Sequence, residues 1–417
     1  MEFLLGCLVF FLNSFLSNED LRDKELQSRN GLSNVVQKIH SRDTIRIAYL
    51  GGSITEAPGW REYSFDWFKQ EFPASYFVQI PAAIGGTGSD FGAYRVGEQV
   101  IEKNPDLVFV EFAVNDNGKS EDKIIQAMEG IVRQIKSVNP KTDVCLIYTL
   151  VEDFVGLEKK GELPSSKIAM EKVADHYGIP SINFGFEVSK RVEEGTLIFT
   201  GNQPFQDDTM VFSNDRVHPF LETGQRIYAE VFQRAMTKLL NLPIQTTFTI
   251  PEALHTSPLV FTRTYPVSPD FIKGNWQEFD PKEKKNFEKF GDYFQEVLVA
   301  SDTTSVLKIK FKGTAIGFAD ILGPDSGSLI IALDGKEYRK VTRFDEYCNF
   351  RRISYLLIQD LEDKEHEIVI HWNPQKIDKE GILARRKIVM ENPKDYLDQH
   401  WYLGKLLVNG IINKNHD

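Results

Sequence analysis

Between residue 45 and about residue 240, short β-rich apolar runs alternate with segments of helical period. That alternation restricts the fold more than any other feature of the chain. The apolar runs fall at 45–50, 76–80, 107–114, 144–150 and 180–184. Helical-period segments lie between them at 60–72, 90–103, 120–138 and 165–177, and one more at 221–240 closes the region. The 120–138 segment is the clearest. Ser120 can cap it, Glu121 and Asp122 suit its first turn, and Ile124, Ile125, Met128, Ile131, Val132 and Ile135 form one apolar stripe. Strands separated by helices of this length pair in parallel, with helices on both faces of the sheet.

After Asn241-Leu-Pro243 the texture changes. Leu307-Lys-Ile-Lys-Phe-Lys312 alternates at period two, as a half-exposed strand does. Ser328–Leu333 runs into the turn signal Asp334-Gly335, Glu367–Trp372 is a further strand, and Gly323-Pro-Asp-Ser-Gly327 punctuates them. Short strands with turn signals between them predict an all-β sandwich over 255–417. A chain of 417 residues is long enough for two such domains.

Charge excludes some partners. A net charge of −11 with a pI near 5.4 argues against nucleic acid and against an anionic membrane surface. Residues 1–17 are nearly all apolar and are followed by Asn18-Glu-Asp20. The run is short for a membrane span and reads as a secretory leader, although it lacks Lys, Arg and a clean small-x-small cleavage site. A secreted or periplasmic protein is expected, with no integral membrane association once the leader is gone. Residues 18–44 read as a polar, partly helical lead-in. Beyond the leader only Cys145 and Cys348 remain, so neither a disulfide framework nor a cysteine metal site is available. Cys145, in an apolar run, reads as a buried free thiol. No Asp/Glu/His cluster has metal-ligand spacing, and no motif asks for a cofactor.

The strand at 45–50 ends in Gly51-Gly52-Ser53-Ile54-Thr55, which presents a hydroxyl where open α/β sheets bind ligands. Alone, that string also makes an ordinary turn. Three more strings end strands or precede a helix in the same region. Ala83-Ile-Gly-Gly86-Thr-Gly-Ser89 allows a backbone N–H to approach a ligand, or is a plain strand-to-helix turn. Asn115-Asp116-Asn117 puts a side-chain amide at a strand end, or is a polar turn. Asp215-Arg-Val-His218 can pair an imidazole base with the carboxylate that fixes its tautomer. The last spacing is cheap: Asp363-Lys-Glu-His366 repeats it in the second region, where it reads as a solvated hairpin.

Gly51-Gly52-Ser53, Gly86, Asn115-Asp116 and Asp215-x-x-His218, in that order, resemble the four blocks of the SGNH (GDSL-type) hydrolases. The resemblance spans about 45–240. It implies a flavodoxin-like three-layer α/β/α domain at 45–242. It also implies Ser53 as nucleophile, His218 as general base and then acid, and Asp215 as its orienter. Ser53 N–H, Gly86 N–H and the Asn115 amide would form the oxyanion hole. Gly52 stands where Gly-Asp-Ser has Asp, and Val114-Asn115 where Thr-Asn or Gly-x-Asn is usual. Gly-Gly-Ser-Ile-Thr is similar to secreted carbohydrate-esterase relatives. Phe311–Gly317, Gly323–Gly327 and Leu333-Asp-Gly335 look like the jelly-roll modules that accompany such esterases.

The implied activity is removal of small acyl groups, acetyl above all, from carbohydrate. The alternatives are a lipase, thioesterase or acyltransferase on the same machinery, or a glycan-binding protein that has lost catalysis. The last should lack a triad member, and none is missing. Trp60, Arg61 and Arg95 are candidate substrate-binding residues. The alternative for Trp60 is the core face of its helix, and for Arg95 a surface ion pair. Trp276 and Trp372 are too isolated to mark a sugar site.

Overall fold

The computed structural model describes residues 24–245 and 249–412; the expected leader, residues 1–17, lies outside the described residues. The chain forms two units, Met1–Pro258 and Leu259–Asp417. Among the described residues no helix is long and apolar enough to cross a membrane.

The first unit is built on a six-stranded sheet. Its strands are β1 (Leu26–Gln27), β2 (Thr44–Gly51), β3 (Tyr76–Ala83), β4 (Leu107–Glu111), β5 (Asp143–Tyr148) and β6 (Ser181–Asn183). Their spatial order is β1-β6-β5-β4-β2-β3, with β2 to β6 parallel and only β1 antiparallel. Without β1, this is the flavodoxin-like order, in which the first strand lies between the second and the third. Ile47, Ala48, Tyr49 and Leu50 are all buried, as a strand covered on both faces requires.

The helices are α1 (Ser33–His40), the single turn α2 (Ser53–Glu56), α3 (Trp60–Glu71), α4 (Ser89–Gln99) and α5 (Glu121–Val138). They continue with α6 (Glu152–Glu158), α7 (Ser165–Tyr177), α8 (Gly185–Glu193) and α9 (Gly224–Leu240). In α5 the Ser120 hydroxyl accepts from the Lys123 amide, and Ile124, Met128, Ile131, Val132 and Ile135 are buried. A small sheet of β7 (Leu197–Thr200), β8 (Phe205–Gln206) and β9 (Thr209–Ser213) precedes α9. The lead-in contributes to the same core: Leu32 and Val35 are buried, and β1 pairs with β6. Cys145, buried in β5, is a free thiol.

The second unit is an antiparallel β domain. Its strands are β10 (Thr262–Pro266), β11 (Ile272–Lys273), β12 (Trp276–Phe279), β13 (Val297–Ala300) and β14 (Val306–Leu322). They continue with β15 (Ser328–Leu333), β16 (Lys336–Thr342), β17 (Arg352–Ile358), β18 (Lys364–Asn373) and β19 (Trp401–Ile412). The 17-residue β14 is shared: Val306–Gly313 pairs with β18, and Ile316–Leu322 pairs with β17. Register shifts after Gly313 and Ala319 against β19 let the long strand bend around one core that includes Phe311, Phe318, Leu329, Ile370 and Trp401. The Trp276 indole N–H donates to Lys273 O and that of Trp372 to Gln399 O, so both rings are tied into the domain.

Candidate active site

The site is assembled around the end of β2. Gly51 closes the strand, Gly52 is extended, and Ser53 begins α2. Because β2 lies between β3 and β4, the turns that follow those two strands flank Ser53 on either side. The connections from β2 and β4 leave in opposite directions there, and the crevice opens at the carboxyl ends of these strands.

The β9–α9 loop brings the imidazole. Ser53 Oγ lies 2.8 Å from His218 Nε2, and His218 Nδ1 lies 2.7 Å from Asp215 Oδ2. A carboxylate only accepts, so Nδ1 carries the hydrogen and Nε2 is left to accept from the serine hydroxyl. The other Asp215 oxygen, Oδ1, accepts from the amides of His218 at 2.7 Å and Val217 at 3.0 Å, and from Ser213 Oγ at 3.0 Å. Partial burial opposes the Asp215 charge. The His218 ring and the two amides outweigh it and hold the carboxyl well below the usual carboxylate range. Arg216, at the loop's apex with φ 71°, pairs with Glu152 and Asp153, and its carbonyl accepts from the Glu152 amide at 3.0 Å. The loop is thereby tied to the start of α6. The His218 and Asp215 side chains remain 44% and 48% exposed.

The turns that flank Ser53 carry the other two expected donors, Gly86 and Asn115. Gly86 has φ 72°, a left-handed conformation that favours glycine. Its N–H and that of Ser53 have no acceptor among the described residues. The Gly85 N–H donates to Glu56 Oε2 at 3.0 Å, which holds this turn against α2. On the other side, a Cβ on Gly52 would lie 2.1 Å from Asn115 Oδ1, so the Asn115 carboxamide occupies the space a side chain would need. Glycine in place of aspartate is therefore a packing requirement of this site. Asp116 anchors the Asn115 turn: its Oδ1 accepts from the Ser89 amide at 3.1 Å and from Lys119 at 3.0 Å, and Lys119 also bonds Asp90 at 2.8 Å. The two donor turns are thus fastened to the same end of α4.

The three substrate-binding candidates do not line this crevice as free groups. Trp60 is fully buried, with its ring 5.5 Å from Tyr49 and 5.6 Å from Phe184, because it packs α3 onto the sheet. Arg61 turns its guanidinium to Thr55 O, Glu56 O, Gln79 Oε1 and Glu62, closing the carboxyl end of α2. Arg95 is neither in the crevice nor in a surface pair. It is fully buried near the Phe91 and Phe112 rings and donates to Ala82 O, to Gln99 Oε1 and, at 2.9 Å, to Gly51 O. One guanidinium therefore ties the ends of the two strands that carry Ser53 and the Gly86 turn. Sequence reasoning also passed over Glu111, a buried carboxylate beneath Ser53. Its signal was a charge inside the apolar run Phe109–Val114.

A serine whose proton faces an oriented imidazole, with N–H donors on two sides, is equipped for acyl transfer through an acyl-enzyme. This defines a serine acylhydrolase on a flavodoxin-like domain. Residues 49–221 match the model of the GDSL-like lipase/acylhydrolase family, and the N-terminal domain belongs to that family. The first unit is thus an esterase-type hydrolase domain. Two solved structures match both units together. They are crystal structures of a two-domain esterase active on acetylated mannans, one of them co-crystallised with mannopentaose. Each is 19% identical, covers 95% of this chain and 99% of its own, and has a TM-score of 0.73. At that identity the likeness is one of fold. No curated protein matches the sequence.

Proposed function

We propose that the protein is a serine esterase that removes small acyl groups, chiefly acetyl, from carbohydrate. The observation that carries the reading is the Ser53–His218–Asp215 relay at an open crevice. Ser53 Oγ attacks the ester carbonyl while His218 Nε2 takes its proton, and Asp215 stabilises the imidazolium. The Ser53 and Gly86 N–H groups and the Asn115 amide receive the oxyanion. Collapse of the tetrahedral intermediate breaks the bond to the sugar oxygen, which takes the proton from His218. Water, deprotonated by the same imidazole, then releases the acid and restores Ser53.

Two features support a carbohydrate over a lipid. The relay's side chains are nearly half exposed, so a bulky polymer can reach them. Polar side chains border the serine turn, Glu56 and Asn115 among them. The mannan-active esterase of the same two-domain fold agrees with this reading. Export is part of the proposal and rests on the apolar stretch at residues 1–17. The test is acetate release from a panel of acetylated polysaccharides by wild type and Ser53→Ala. Acetate from at least one polymer, absent with Ser53→Ala, is expected. Turnover only of long acyl esters would refute the carbohydrate reading.

A further inference from the structure

Beneath the nucleophile lies a buried acid that the acyl-transfer scheme leaves without a task. Glu111 ends β4 directly beside Gly51 of β2 and is 1% exposed. Its Oε2 accepts from Thr55 Oγ at 2.8 Å and its Oε1 from Thr149 Oγ at 2.8 Å. Burial pushes the Glu111 carboxyl above its usual range, and the two threonine hydroxyls and the nearby Gly52 amide draw it part of the way back. Gly51 and Thr55 bracket Ser53 in sequence, and Thr149 follows β5, so one carboxyl group joins the serine turn to β4 and to the end of β5, the next strand over.

We propose that Glu111 is a positioning residue for the nucleophile, holding Ser53 in line with His218 by accepting from the Thr55 hydroxyl on one side of the turn while its own strand pairs with Gly51 on the other. The proposal rests on Ser53 being the nucleophile. The turn needs such an acceptor. Gly52 precedes the first residue of α2 and has no side chain with which to cap it, because Asn115 fills that space. In most helices an Ser, Thr, Asp or Asn at that point accepts from the first turn. Here Glu111, on the neighbouring strand, holds the turn through the Thr55 hydroxyl instead, and the Ser53 N–H is left to the substrate. Burial of an unmet carboxylate would be costly, and the two threonine hydroxyls offset part of that cost. Arg95 does the complementary work, donating to the Gly51 carbonyl while Glu111 accepts from the Thr55 hydroxyl.

The test measures how fast Ser53 reacts, not which polymer it acts on. A fluorophosphonate forms an O–P bond to the serine with loss of fluoride, and the serine proton passes to His218. In the full-length protein, Glu111→Met should slow phosphonylation of Ser53 and lower kcat on a short aryl acetate by about 10²-fold, the loss a small misplacement of a reacting atom brings. KM should stay unchanged, because ground-state binding is untouched. Glu111→Gln should recover most of the rate, since its remaining oxygen still accepts and the Thr149 hydroxyl can turn to meet the amide. A phosphonylation rate in Glu111→Met equal to wild type overturns the proposal, as does a Gln variant as slow as Met. If Glu111→Met does not fold, Thr55→Val removes one flank alone, and an unchanged rate there overturns it equally. Wild type that labels at Ser53 but deacetylates no glycan sinks only the carbohydrate reading; wild type unlabelled at Ser53 sinks both.

Discussion

Two Asp-x-x-His strings, one in each unit, have the same spacing and opposite fates. In the first, His218 meets its own Asp215 through Nδ1, and Nε2 faces the Ser53 hydroxyl. In the second, His366 ignores Asp363. It is 6% exposed, with Nδ1 2.8 Å from Asp334 Oδ2 and Nε2 2.9 Å from Glu362 O. Both of its nitrogens face acceptors, so neither is free to take a proton from a substrate or nucleophile. Spacing brings an imidazole near carboxylates in both places. What distinguishes a base from a structural cross-link is the group on the second nitrogen.

Substitutions can break that contrast, and the largest effects belong to the first string. Ser53→Ala and His218→Ala should each lower turnover of an aryl acetate on the order of 10⁶-fold, and the double variant should be little worse, because the pair acts as a unit. Additive losses would show that the two act separately. Asp215→Asn should cost about 10⁴-fold by releasing the wrong tautomer. The same substitution has a pH signature. Since the folded state holds the Asp215 carboxyl low, its stabilisation is present above about pH 4 and fades as pH falls through the lowered value. Urea midpoints measured from pH 6 to pH 3 should fall more for wild type than for Asp215→Asn. Gly52→Ala comes next. Its methyl group would displace the Asn115 carboxamide, so a loss of about 10²–10³ in kcat is expected, the usual cost of one oxyanion donor. A Gly52→Ala enzyme with full kcat would remove Asn115 from the hole.

The four strings of the first unit were legible because each sits at the end of a β-rich run or before a helix, where local pattern and chemistry coincide. The role of Arg95 was not. Nothing near it in sequence announces that the carbonyls of Ala82 and Gly51 converge on its guanidinium, since that meeting depends on two strands lying side by side. Glu111 was half legible: a carboxylate in a buried strand must find donors, but Thr55 and Thr149 cannot be singled out without the fold. In the second unit, the period-two pattern of Leu307–Lys312 marked the start of β14 and then disappeared. From Ala315 to Leu322 every residue is buried, whichever face it points to, so alternation no longer signals a strand. The partner of His366 was hidden for a related reason, because Asp334 arrives across a sheet from a turn 32 residues away.

The smallest effect is the one that sharpens the contrast most. His366→Asn should leave hydrolysis of an aryl acetate unchanged and lower the stability of the second unit by about 1–2 kcal/mol, the cost of hydrogen bonds lost from a buried ring, one of them to a charged partner. A urea titration followed by tryptophan fluorescence, read beside the activity of the same samples, separates the two quantities. The Asp334 carboxyl is held low first by the Glu367 amide, with burial opposing and the His366 ring adding to the effect. Its contribution is therefore also present above about pH 4 and lost on acidification. His366→Asn should consequently narrow the gap between midpoints at pH 6 and pH 3 without abolishing it, because the Glu367 amide remains. A His366→Asn enzyme that loses turnover at full stability would mean that the spacing, and not the group on the second nitrogen, selects the base.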